Sequence, residues 1–102
     1  MSINVGEYGL AYRLNVSYDM SSNTSLSFEF VRPDKSVIVR DGVLGTAALV
    51  TEEYGTFPAN QYASYVFADG DLTLPGKYTA RLIYNSPGKR LKSDIDGFMV
   101  LP

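Results

Sequence analysis

Apolar and polar residues alternate one by one along several stretches of this chain, a pattern no helix can bury. From Leu10 onward, Leu10, Tyr12, Leu14, Val16 and Tyr18 alternate with Ala11, Arg13, Asn15, Ser17 and Asp19. Successive side chains of a strand point to opposite faces, so this run predicts a half-buried strand of about ten residues. Leu26, Phe28 and Phe30 alternate with Ser27, Glu29 and Val31 in the same way. The clearest late strand is Lys77 to Asn85, with Tyr78, Ala80, Leu82 and Tyr84 on one face and Thr79, Arg81 and Ile83 on the other.

Turn chemistry separates these runs. Ser21-Ser22-Asn23 and Arg32-Pro33-Asp34-Lys35 each predict a turn, the second because proline ends ladder pairing. Asp41-Gly42 follows the β-branched run Ser36 to Arg40 and predicts a tight hairpin turn. Val43 to Thr51 is assigned to strand; a helical turn capped by Thr46 is the competing reading, but it is too short to stand alone. Tyr54 to Asn60, with Gly55 and Pro58, predicts a loop, and Tyr62 to Ala68 another strand. Asn85 to Lys89 predicts a hairpin loop before a closing strand over Phe98 to Leu101. About seven short strands, spaced roughly ten residues apart and broken by turn signals, predict an all-β sandwich or small barrel. The whole chain, residues 1–102, forms one domain, with 1–7 an N-terminal arm and Leu101-Pro102 a second short arm, each ordered by a partner.

Composition narrows the function. The chain has no cysteine and no histidine. Thiolate nucleophiles, thiolate metal sites and disulfides are excluded, and so are the commonest general base and zinc ligand. Net charge is −2 with the basic residues scattered, which offers no surface to nucleic acid. The N-terminus lacks a secretory signal and no apolar run reaches membrane-spanning length. A cytoplasmic site of synthesis and no membrane partner are the expectation, with no cofactor and no enzymatic activity.

The densest signal is Asp69-Gly70-Asp71-Leu72-Thr73-Leu74-Pro75-Gly76-Lys77-Tyr78. A strand ends, Leu72 and Leu74 drop inward, Pro75-Gly76 turns, and Tyr78 starts the next strand. Such a loop crosses between sheets and leaves backbone groups unpaired, and a buried phenol can satisfy one of them. Asp69, Leu72, Gly76 and Tyr78 are therefore expected to build a tyrosine corner.

Phe28-Glu29-Phe30-x-x-Pro33-Asp34 before a β-branched run, and Leu72-x-x-Pro75-Gly76-x-Tyr78-x-Ala80 before the last hairpin, resemble the small immunoglobulin-like modules of tailed-phage virions. The N-terminal domain of baseplate upper proteins is the nearest comparison. The resemblance implies an immunoglobulin-like or fibronectin-like antiparallel β-sandwich of about seven strands. It also implies a virion structural protein, made in the host cytoplasm, acting as a capsid decoration, connector, tail or baseplate component. Its partners would be other virion proteins, including further copies of itself. Baseplate upper proteins continue into long fibre regions, whereas this sequence ends at Pro102, so the role expected is that of the module alone.

Several side-chain groups suggest contact sites. Tyr54, Thr56, Phe57 and Pro58 put two rings and a proline in an expected exposed loop, a candidate partner surface together with Tyr8. Val37 and Val39 lie on a short strand without an inward charge, open to pairing with a neighbouring chain. The aromatic content also allows a non-catalytic carbohydrate-binding or adhesion module. Asp69 with Asp71 and Asp94 with Asp96 space carboxylates as calcium ligands do, but neither completes a calcium-loop signature, and turn roles are the reading adopted. Glu52 and Glu53 are sequence neighbours and point apart in a strand, unlike a catalytic pair.

Overall fold

The computed structural model describes residues 3–53 and 55–102, and among them there is no helix. The strands are β1 Ile3–Asn4, β2 Ala11–Asn15, β3 Ser25–Val31, β4 Val37–Asp41, β5 Val43–Leu44, β6 Leu49–Thr51, β7 Gly55–Phe57, β8 Tyr62–Val66, β9 Gly76–Ser86, β10 Lys89–Lys92 and β11 Asp96–Leu101. They form a larger sheet in the order β1-β11-β9-β3-β4, with β10 also on β9, a three-stranded sheet β2-β8-β5, and the hairpin β6-β7. The chain is all-β, as its alternation requires.

Both sheets bury their apolar faces in one core. Tyr12 and Phe67 from the smaller sheet and its flank meet Phe28, Phe30 and Phe98 of the larger one. The Tyr12 ring stands edge-on to Phe28 and Phe30, each 5.7 Å away, a favoured arrangement of ring quadrupoles. Leu82 lies opposite Phe28 and the small Ala80 opposite Phe30, so large and small side chains alternate across the ladder. Each fully buried ring contributes about 2–3 kcal/mol of hydrophobic stabilisation.

The structure revises several sequence expectations. Pairing is not wholly antiparallel, because β1 runs parallel to β11 with Ile3 opposite Val100. Of the expected arm over residues 1–7, Met1 and Ser2 lie outside the described residues, and the rest is no free arm: Ile3 is completely buried and Val5 donates to the Leu101 carbonyl. Leu101 ends β11, in keeping with the expected closing strand over Phe98 to Leu101 and not with a second arm. The strand expected from Leu10 to Asp19 stops at Asn15, where Ser17 takes a left-handed φ of 63° and donates its amide to the Asn15 side chain. Asp41-Gly42 is not a hairpin turn. It carries the chain from β4 in one sheet to β5 in the other, and a Cβ at Gly42 would stand 3.1 Å from the Phe28 ring.

Val43 to Thr51 splits into β5 and β6, and the expected loop at Tyr54 to Asn60 contains β7, paired so that Val50 faces Thr56. The last hairpin is longer than expected. Ser86 pairs with Lys89 across Pro87-Gly88, and β10 returns along β9. A bulge then follows: Ser93, Asp94 and Ile95 stand between Lys92, opposite Ile83, and Asp96, opposite Ala80. The Ser93 hydroxyl accepts from the Leu82 amide at 2.8 Å, completing the ladder. A bulge changes which face the following side chains occupy, and beyond it Val100 is fully buried and Phe98 packs on the core.

Candidate functional site

Two regions concentrate polar chemistry: the loop from β8 to β9, and the open side between β2 and β11. In the first, Tyr78 is fully buried. Its Oη donates to the Leu74 carbonyl at 2.9 Å and accepts from the Leu74 amide at 3.1 Å. The corner thus satisfies both backbone groups of a crossing residue. Leu72 is buried and Gly76, at φ 127°, sits against Pro33, as their assignment to the corner implies.

Asp69 does not take the expected part. It is exposed, and Asp71 is the buried carboxylate, 1% accessible. Asp71 Oδ2 accepts from the Tyr65 hydroxyl and from the Ala68 amide at 2.9 Å, while Oδ1 accepts from Arg40 Nη2 at 3.0 Å. Arg32 donates to the Asp71 and Gly70 carbonyls, each at 3.2 Å. Burial pushes the Asp71 carboxyl up, but the Tyr65, Ala68 and Arg40 donors outweigh it and hold its pKa below the ordinary value. Burial and the adjacent carboxylate raise the Tyr65 phenol. This knot joins β4, β8 and the corner loop. Its carboxylate is committed to structural donors, which leaves it poorly suited to a calcium site.

The expected contact residues are dispersed. Tyr8 is 63% exposed. Thr56 is exposed on β7, whereas Phe57 is buried against Tyr62, ring centroids 5.4 Å apart. Phe57 is thus removed from the exposed surface by pairing of β6 with β7, which turns its ring inward. Pro58 is half-buried, and Tyr54 lies outside the described residues. Val37 and Val39 are exposed on β4, the edge of the larger sheet. That strand does carry an inward charge: Arg40 faces Asp71, and its Nη1 donates to the outward Val39 carbonyl at 3.1 Å. Such a charge protects an edge against pairing.

The second region was not foreseen from sequence. A groove of about 970 Å³ lies between β2 and the lower half of β11, lined by Ala11–Asn15, Thr51–Glu53, Phe57 and Asp96–Met99. A smaller one of about 430 Å³ continues it along Leu14–Tyr18 and Lys92–Asp96. The Tyr12 hydroxyl donates to Asp96 across this side. Nothing in the local pattern of either strand signals their proximity, because they are more than eighty residues apart in the chain.

Comparison of the chain with protein-family models, with curated proteins and with solved structures finds no significant match.

Proposed function

We propose that this chain is an immunoglobulin-like β-sandwich acting as a binding module, and, within that class, a structural component of a tailed-bacteriophage virion. The strand order carries the first step. A sheet β1-β11-β9-β3-β4 facing β2-β8-β5, with a tyrosine corner leading into β9, is the arrangement expected of a Greek-key sandwich. The second step rests on the resemblance of the Phe28–Asp34 and Leu72–Ala80 segments to phage modules.

Action through protein surfaces, without catalysis, is supported by how the polar groups are used. Asp71, Arg40 and Tyr65 bond one another and the backbone. A protein partner is preferred to a sugar because Tyr8 is the only strongly exposed ring among the described residues. A stacking platform for sugars needs more aromatic surface than that. In a virion, symmetry repeats one modest contact many times, and avidity holds the assembly.

Mass spectrometry of gradient-purified particles from the source culture tests the reading. Enrichment in fixed ratio to a coat or tail protein is the expected result. Protein found only in the soluble fraction would overturn the virion role and direct attention to glycan binding.

A further inference from the structure

Edge strands are where a β-protein is open to another chain, and hydrogen-bond parity shows which groups of β2 are open. Phe67 donates to the Leu10 carbonyl and Val16 to the Gln61 carbonyl. The even-numbered residues of β2 therefore bond to β8, and Ala11, Arg13 and Asn15 turn their amides and carbonyls away from it. No described strand pairs with that side of β2. Across the groove, Val5 donates to the outward Leu101 carbonyl, so Gly97 and Met99 share that outward parity. Because β1 reaches only Val100 and Leu101, the outer side of β11 from Asp96 to Met99 has no described strand beside it.

The β4 edge differs, since Arg40 occupies its Val39 carbonyl. Charge also selects the occupant. Four carboxylates, Glu52, Glu53, Asp94 and Asp96, line the groove and its continuation against two cations, Arg13 and Lys92.

We propose that this groove is an acceptor for an extended, basic-flanked segment of a partner polypeptide, which pairs with the open edge of β2 by backbone hydrogen bonds while Gly97 and Met99 face its other side. Main-chain pairing supplies the affinity, and the acidic rim selects for lysine or arginine at the segment's ends. The inference rests on the protein-contact part of the proposed function and is independent of the virion setting.

The test appends to Pro102 a flexible Gly/Ser linker of about twelve residues, reaching roughly 20 Å, followed by the segment Lys-Val-Thr-Val-Thr-Val-Lys. Tethering supplies an effective concentration in the millimolar range. Amide hydrogen exchange by NMR is expected to slow about tenfold or more at Arg13 and Asn15. The same tail with prolines at alternate positions leaves the domain untouched and is expected to give no protection. Arg13→Pro, which removes an outward donor without breaking a β2–β8 bond, is expected to abolish it. A tail flanked by glutamates is expected to protect less.

Unchanged exchange at Arg13 and Asn15, or slowing confined to Val37 and Val39, would overturn the proposal. Equal protection by the acidic tail would overturn the charge selection. Concentration-dependent protection of the same amides in tail-free protein would make the occupant a second copy and overturn the partner assignment. Tail protection in a protein absent from particles would sink the virion reading alone.

Discussion

Tyr78 and Asp71 do at the residue scale what the crossing loop cannot do for itself. Tyr78 supplies one oxygen to both polar groups of Leu74, so Tyr78→Phe strips that partner from both in a half-buried site. A loss of about 1–3 kcal/mol, with an unchanged denaturant slope, is expected in urea unfolding; an unaltered midpoint would contradict the corner's energetic role. Asp71→Asn keeps the shape but loses the charge that Arg40 faces. Because the Arg40 side chain is 40% exposed, the expected cost is only about 2 kcal/mol.

The pH dependence follows from the lowered Asp71 pKa in the folded state. The unfolded chain binds this proton more readily, so the stabilisation is complete above the ordinary carboxylate pKa of about 3.9 and is lost as pH falls through the lower folded value. Urea midpoints compared near pH 6 and near pH 3 are expected to fall less steeply for Asp71→Asn than for the native chain. Tyr78 was legible because Leu-x-x-Pro-Gly-x-Tyr places a phenol at a strand start. The choice between Asp69 and Asp71 was not, because it depends on which carboxylate meets Tyr65 and Arg40, residues brought from other strands.

Among the elements, alternation located β3 and β9 well and found β2 while overrunning its end at Asn15, since a strand with one buried face leaves its period in the sequence. The segment from Val43 to Phe57 left a weaker trace. Its strands are two or three residues long, too short for a period to show. Close packing holds the segment in place. Gly45 donates to the Tyr62 carbonyl at 2.9 Å, and a Cβ there would fall 2.0 Å from the Tyr62 ring. That ring is itself fixed by its hydroxyl donating to the Ala47 carbonyl and by a T-shaped contact with Phe57. Gly45→Ala is expected to cost about 2 kcal/mol or more and to shift the Tyr62 and Phe57 ring signals in NMR spectra. A neutral substitution would mean that β5 and Tyr62 separate easily.

On the scale of the whole molecule, the two ends of the chain meet: β1 lies along β11, and Val5 bonds to Leu101. Deleting residues 1–7 removes the fully buried Ile3 along with this pairing. A loss of about 2–4 kcal/mol is expected in thermal or urea unfolding; unaltered stability would restore the picture of a detached arm. Among the described residues, β1 pairs only with Val100 and Leu101, and no described strand covers the rest of β11 along the groove.

Local pattern alone determined that the chain is all-β, where most of its longer strands run, that Tyr12, Phe28, Phe30 and Tyr84 face inward, and that a tyrosine corner joins β8 to β9. Each of these depends on residues within one strand or one turn, where sterics and burial act over short distances. Tertiary structure decided the parallel pairing of β1, the bulge at Ser93 that turns Phe98 and Val100 to the core, the burial of Asp71 and Phe57, and the meeting of β2 with β11. Those outcomes depend on contacts between residues far apart in the chain, whose partners are chosen by competition for a single core.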